Sequence, residues 1–590
     1  MIGKDISFDQ ILKVNIRNFA LICLLLLSAF SFNSFGQIYP EYPYPTDVFA
    51  NPLGIEWELS GTYGEPRSNH FHAGSDVKTN GTTGYKLYAI QDGYVARIKV
   101  SPFGYGKALY IAHPNGYTSV YGHMDSFNPK IDSLVKQYQY ANQQFSQEIY
   151  PKASELKVKK GDLIGYSGNS GGSGGPHLHL EIRETASEQV LNPLFFGYKV
   201  SDNVPPTLSA IKLTTIPSDK SYYEVPEGKR YLLKKNSKGY YIQDTIEVAE
   251  GEIGVGVHGY DVQTAATNKN GIFRMELFVN DQPHFTWTMD KMSFDEARYV
   301  NAFRDFYEGK YGRTIYNCFR MPGNDFKIYE HQVKDGFIDS KGKEVIKVNI
   351  VAWDFHKNKS NIEFYLKTNP NLKPAIIQDS TAVLMPFNQN NNIIKEDFKA
   401  FFPEGSFYDD LPVTYRKEIN SSATIFSDYH HLNNRLVPLH KTVVVQIAPK
   451  NIAPELKSKV VMMHKDLKGV EQALATFWKD DMISTKSKEV GVFYAKLDTV
   501  APSISIINLN TSTKTFRENQ IRVKITDNLS GIDTYDGYIN DQWVVFDYDA
   551  KRNLLVYDFD DKMGKGEQTL KMVVKDAVGN VQTKVIPFIR

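Results

Sequence analysis

The sequence predicts an all-β chain of several domains. Its 590 residues exceed what one core organises. Alternating apolar runs are punctuated by turn dipeptides such as Asp92-Gly93 and Asn115-Gly116. One strand-rich phrase occurs twice, as "FVNDQPHFTWTMD" (Phe278–Asp290) and "YINDQWVVFDYD" (Tyr538–Asp549). The charges nearly cancel, 68 basic against 67 acidic. That balance excludes the electrostatic footprint of a nucleic-acid binder, and no polybasic run suggests an anionic membrane surface.

Residues 1–36 read as an export signal. Lys13 and Arg17 precede the apolar run "FALICLLLLSAFSF", Phe19–Phe32, which is too short for a comfortable membrane span. Ser34 and Gly36 suit the −3 and −1 positions, so cleavage is expected before Gln37; the alternative is an uncleaved signal anchor. Cys23 lacks the small residues that precede a lipidated cysteine. Its removal leaves Cys318 alone, so no intramolecular disulfide is expected. No second run of spanning length follows, so the mature chain is expected to lack a transmembrane segment.

Residues 37–202 read as one compact antiparallel β-domain. "LYAIQDGYVARIKV" and "ALYIAHPNGYTSVYGH" read as hairpins, and "VKKGDLIGYSG" adds a short strand after Gly161-Asp162. "DSLVKQYQYANQQFSQEIY", Asp132–Tyr150, has no Gly or Pro and repeats apolar residues at Leu134, Tyr138, Phe145 and Ile149, which predicts a helical insertion over about 130–152.

Beyond it the chain repeats. "NVPPTLSAIKL" and "TVAPSISIINL" open each copy, and the alternating sets Ile253/Val255/Val257 and Ile521/Val523/Ile525 follow. "VNIVAWDFHKNKS" and "MVVKDAVGNVQ" come after the shared phrase in each copy. This predicts two immunoglobulin-like β-sandwiches, over 203–368 and 498–590, with a third β-rich domain over 369–497.

The chemistry concentrates in three stretches. In "GGSGGPHLHLEIRE", Gly171–Glu184, His177 and His179 share a face if the segment is extended. In "NHFHAGSD", Asn69–Asp76, His72 and Asp76 share a face with Gly74 between them, so imidazole and carboxylate can lean toward one point. Nitrogen and oxygen donors suit Zn²⁺, and a third ligand from "HLH" would complete a catalytic three-ligand set. His123 ends a strand in "VYGHMD". No H-E-x-x-H helix is present.

The "HAGSD" and "HLH" motifs, with a strand-ending histidine between them, resemble the lysostaphin/LytM-type zinc metallopeptidases, over about 130 residues. The resemblance implies one Zn²⁺ per chain held by His72, Asp76 and His179, with His123 and His177 as catalytic histidines; which of the two is the base stays open. It also implies a lysostaphin-type β-sheet fold and hydrolysis of peptide bonds in bacterial peptidoglycan, in the periplasm, envelope or exterior. The helical insertion departs from the shortest members and bears on substrate access. The sandwiches are expected to position the enzyme or bind an envelope protein. Two other readings remain, a non-catalytic scaffold that activates another wall hydrolase and a zinc peptidase acting on proteins.

Other candidates have plainer readings. His70 is a structural or substrate-side residue, His113 a solvated hairpin-tip residue, and His430-His431 a loop pair. Glu181 either orients an imidazole or is exposed. "DNLSGID" and "DAVGN" read more simply as Asx turns than as calcium loops.

Overall fold

Glycine placement sets the register of the N-terminal sheet. In the computed structural model, which describes residues 43–590 apart from 217–223, 227, 265, 343, 375, 379, 434 and 510–514, the elements begin with β1 (Leu59–Gly61), β2 (Ser75–Lys78), β3 (Lys86–Tyr88) and β4 (Gly93–Val100). They continue with β5 (Lys107–Ala112), β6 (Tyr117–Met124), β7 (Ser126–Phe127), α1 (Pro129–Asn142) and β8 (Gln147–Ile149). β9 (Lys157–Val158), β10 (Leu163–Tyr166), β11 (His177–Glu184) and β12 (Val190–Leu191) complete this region. The export signal expected over 1–36 lies outside the described residues.

The main sheet runs β1-β2-β11-β6-β5-β4-β8, all antiparallel, and β3-β10-β7 form a second sheet. Leu109, Ile111, Val120, Leu178, Leu180 and Ile182 are fully buried along the central strands. The Asn115-Gly116 turn joins β5 to β6, with Gly116 at φ 84°. The hairpin expected at Asp92-Gly93 is absent. β3 pairs with β10, so the chain there crosses between sheets. Gly93 serves close approach instead, since a Cβ on it would lie 2.3 Å from the Ala112 carbonyl oxygen.

The insertion is helical only in its first half. Asn128 caps α1 by accepting from the Ile131 amide, and Gln143 ends it in the left-handed region at φ 47°. The buried face is Ile131, Val135 and Gln139, one residue off the expected stripe; Tyr138 is exposed. Gln147–Ile149 returns to a strand on β4, with Gln147 and Ile149 buried and Glu148 out. An apolar pair four apart, Phe145 and Ile149, satisfies both periods, and edge pairing with β4 decides for the strand.

The repeated phrase folds the same way twice. Arg274–Val279 turns through Asn280-Asp281 (φ 50° and 62°) into Gln282–Thr288 and pairs on its other side with Ile346–Trp353. Ile532–Ile539 turns through Asn540-Asp541 (φ 47° and 64°) into Gln542–Val544 and pairs with Glu567–Asp576. Two consecutive positive φ values are what a two-residue hairpin of this hand requires, and Asn and Asp tolerate them. In the second copy two four-stranded sheets enclose Ile521, Val523, Leu555, Met572 and Val574. Between the copies, two five-stranded sheets share a core around Phe398, Val445, Met462 and Phe493.

Residues Pro45–Arg590 pack as one unit. The second copy lies against the N-terminal region. Lys107 pairs with Asp547 at 2.7 Å, Tyr140 bonds Asp560 and meets the Trp543 ring edge-on at 5.6 Å, and Lys551 donates to the carbonyls of Asn169 and Ser173.

Candidate metal centre and its imidazoles

β2 and β11 pair so that Asp76 stands directly opposite His179. Cross-strand partners share a face, so carboxylate and imidazole meet without distortion. His72 lies just before β2. Gly74, between the two, admits the β11 strand, because a Cβ there would come within 2.4 Å of the Leu180 carbonyl oxygen and 3.0 Å of His179 Cε1.

The three groups converge closely. His72 Nε2 is 3.0 Å from Asp76 Oδ1 and 3.1 Å from His179 Nδ1, and His179 Nδ1 is 2.8 Å from Asp76 Oδ1. All three residues are buried. Their outward nitrogens are committed. His72 Nδ1 donates to the Thr62 carbonyl at 2.8 Å, and His179 Nε2 donates to the Glu181 carboxylate at 2.9 Å. A carbonyl or carboxylate only accepts, so each neutral ring turns a lone pair inward. With both rings neutral, two nitrogen lone pairs and a carboxylate oxygen face one another, so the set calls for a positive charge at its centre, a proton or a metal ion. Its donor atoms are of the kind that could hold a metal ion such as Zn²⁺.

His177 and His123 flank it. His177 lies on β11 with His179, its Nε2 3.2 Å from Asp76 Oδ1 and its Nδ1 donating to the Gly175 carbonyl at 2.8 Å. His123 reaches the site through an irregularity. Gly122 stands opposite His179, so strict alternation would send His123 to the other face. Its φ of 58° breaks that alternation, beside a register shift between β5 and β6. The His123 ring centroid then lies 4.9 Å from that of His177 and 5.7 Å from that of His179, and its Nδ1 donates to the Ser170 carbonyl at 2.9 Å.

The electrostatics follow from burial and charge. Burial, with His179 and His177 beside it, lowers His123 to about 3, so this ring is neutral at physiological pH. Burial alone would depress His179, but bonds to Asp76 and Glu181 overcome it and raise it to about 9. Burial would raise Asp76, and the surrounding histidines, His72 first, hold it well below the ordinary carboxylate range. Burial would also raise Glu181; Arg183 and His179 bring it down to about 2.

All five residues singled out from the sequence therefore stand around one point. Glu181 is fully buried and orients His179, bound in turn by Arg183 and by the Tyr105 hydroxyl. Sequence reasoning missed Thr62, Ser170 and Tyr105, which act through backbone carbonyls or from a distant turn; Tyr105 stacks on His179 at 5.1 Å and its carbonyl accepts from the His123 amide. His70 is exposed and bonded to Asn69. His113 is not solvated: it is buried under Phe49, bonded to the Asp92 carbonyl and Ser119. His430 and His431 are not in a loop. They lie on the strand Tyr429–Leu432, and His430 is fully buried.

Residues 70–144 match the family model of Peptidase family M23, and residues 382–498 match that of the Zu5-like domain. The chain is 27% identical over 163 residues to the DD-carboxypeptidase/endopeptidase Mpg of Neisseria meningitidis, a match covering 28% of each protein. It is 30% identical over 136 residues to the peptidoglycan DD-endopeptidase ShyA of Vibrio cholerae, covering 22% of this chain and 26% of that one. These alignments thus span less than a third of either relative. Among solved structures, the catalytic domain of the prophage-encoded M23 protein EnpA from Enterococcus faecalis is 28% identical, with 27% of this chain and 96% of that chain covered at a TM-score of 0.16. The lysostaphin catalytic domain from Staphylococcus simulans is 23% identical, with 24% and 93% covered at a TM-score of 0.19. The chain thus carries a region that matches Peptidase family M23 over residues 70–144, followed by a β-rich C-terminal region.

Proposed function

We propose that this protein is an exported, zinc-dependent endopeptidase that hydrolyses peptide bonds of bacterial peptidoglycan. The observation that carries the reading is the inward-facing acceptor set of His72, Asp76 and His179, with two more imidazoles beside it. The relatives named for action on peptidoglycan supply the substrate class. No helix among the described residues is long and apolar enough to cross a membrane.

His72, Asp76 and His179 would hold a Zn²⁺, which when bound would supply Lewis acidity toward a peptide carbonyl and water. The protein's own part is positioning and proton handling. His123 and His177 both spend Nδ1 on a backbone carbonyl, Ser170 and Gly175, and so present Nε2 to the reacting centre. Either can take or steady a proton there. Glu181, locked by Arg183, keeps the His179 ring in the tautomer that turns Nδ1 inward.

Incubation of the zinc-loaded protein with purified sacculi, followed by mass spectrometry of soluble fragments, tests this reading. Wild type is expected to release peptide-cleaved fragments, His179→Ala none, and His123→Ala far fewer than wild type. Identical fragments from all three, or none from wild type with one zinc bound, would defeat it; the second result is that of a non-catalytic scaffold.

A further inference from the structure

Each copy of the repeat gathers three aspartates. Asp202, Asp261 and Asp354 bring carboxylate oxygens within 4.8 Å of one another, and so do Asp498, Asp527 and Asp576. The clusters correspond in detail. Asp202 accepts from the Val204 amide at 3.0 Å, as Asp498 does from Val500 at 3.3 Å. Asp354 accepts from the backbone and side-chain nitrogens of Asn358, as Asp576 does from those of Asn580. Each asparagine amide also reaches the carbonyl of the first aspartate, Asp202 at 3.4 Å or Asp498 at 3.0 Å.

The middle aspartate points to a ligand. Asp261 is only 4% exposed, yet its Oδ1 is buried without a hydrogen-bond partner among the described residues. Asp527 Oδ1 is likewise buried and unpartnered, although Asp527 Oδ2 accepts from the Leu529 and Gly531 amides. Asn270, tied to Asp261 by two backbone hydrogen bonds and 2% exposed, leaves both its amide oxygen and nitrogen unpartnered. A cavity of about 20 Å³ adjoins the first cluster, lined by Asp202, Asp261, Gln263 and His356 on one side and Thr62 and Asn192 on the other. That volume holds one water or one ion. Buried carboxylates facing one another call for a positive charge or a proton between them, and the one basic side chain lining this cavity, His356, reaches only Asp202 Oδ2, at 3.7 Å.

We propose that Asp202, Asp261 and Asp354 bind one Ca²⁺, and that Asp498, Asp527 and Asp576 bind a second. The donors are carboxylate oxygens, which suit a hard cation and not Zn²⁺. Oxygens about 2.4 Å from one Ca²⁺ can stand up to about 4.8 Å apart, whereas the shorter bonds of Mg²⁺, about 2.1 Å, demand a tighter and more regular set. The first cation also acts as a positioning element. Thr62 lines the same cavity, accepts from the Gly271 amide through Oγ1, and holds His72 through its carbonyl. Gln263 Oε1 accepts from the Leu59 amide on β1. Holding Asp261, Gln263 and Gly271 in place therefore steadies the edge on which His72 leans.

The test uses the full-length zinc-loaded chain and leaves activity aside. Equilibrium dialysis against ⁴⁵Ca²⁺ is expected to give two equivalents for wild type, one for Asp261→Asn, one for Asp527→Asn and none for the double variant. Tm of wild type is expected to rise by several degrees on Ca²⁺ addition and to fall back with EGTA, with smaller rises in the single variants. Asparagine preserves side-chain volume, and zinc content with circular dichroism identifies folded protein. No Ca²⁺ bound by wild type at millimolar concentration, unchanged stoichiometry in folded variants, or Mg²⁺ binding as tightly as Ca²⁺ would each overturn the proposal.

Discussion

At the scale of single residues, His123 and His179 occupy the same small volume but serve different ends. His179→Ala removes one of the three proposed ligands, so zinc content is expected to fall. His123→Ala leaves the three donors intact and is expected to retain one zinc while kcat drops by about 10² to 10⁴. Metal analysis beside kcat separates the two, and loss of zinc from His123→Ala would refute the division of roles. A second residue-scale effect lies far from the site. His430 is fully buried, stacked on Phe398 at 4.9 Å and bonded to Tyr415, and burial lowers it from 6.5 to about 4. The unfolded chain therefore takes up this proton first. The neutral ring's contribution is whole above about pH 6.5 and is lost as pH falls toward 4, on the order of 3 kcal/mol. Tm measured from pH 7.5 to 4 is expected to fall more steeply for wild type than for His430→Gln; parallel curves would contradict it. The histidines of the site were legible because i, i+2 spacing on a strand and a glycine between His72 and Asp76 are local signals. His430 was not, because nothing in "DYHHLNN" tells a strand interior from a loop until Phe398 arrives from elsewhere in the chain.

At the scale of elements, glycines and caps decide the outcome. Asn128 both caps α1 and donates to the Leu163 carbonyl on β10, so it ties the insertion to the second sheet. Asn128→Ala is expected to destabilise by about 1 kcal/mol, read as a lowered denaturation midpoint at unchanged zinc content. Gly74→Ala is expected to do more, since its Cβ would press on the Leu180 carbonyl and the His179 ring; both stability and zinc affinity should decline. The Asn115-Gly116 hairpin, the β11 strand and the existence of a helix were readable from turn chemistry and periodicity. The Asp92-Gly93 crossover was not, because β3 is taken by β10, far along the chain, while β4 pairs with the next strand, β5. The end of α1 was missed for the same reason: pairing with β4 overrides a helical spacing.

At the scale of the whole molecule, the repeat could be read from phrases shared at matching positions, but its docking could not. Contacts such as Lys107–Asp547 and Lys551–Asn169 link residues hundreds of positions apart and leave no local trace. They bear on the imidazoles all the same. Lys551 holds the loop whose Ser170 carbonyl fixes His123 and whose Ser173 hydroxyl lies 3.3 Å from His177 Nδ1. Lys551→Ala is expected to lower kcat several-fold with zinc content unchanged; an unaltered rate would show that the loop holds itself. The same contacts impose an order of assembly. The strands bearing the ligands leave the ribosome early, but the braces around residues 543–560 emerge hundreds of residues later. The imidazole-bearing loops therefore reach their final rigidity only after residues 543–560 have folded against them.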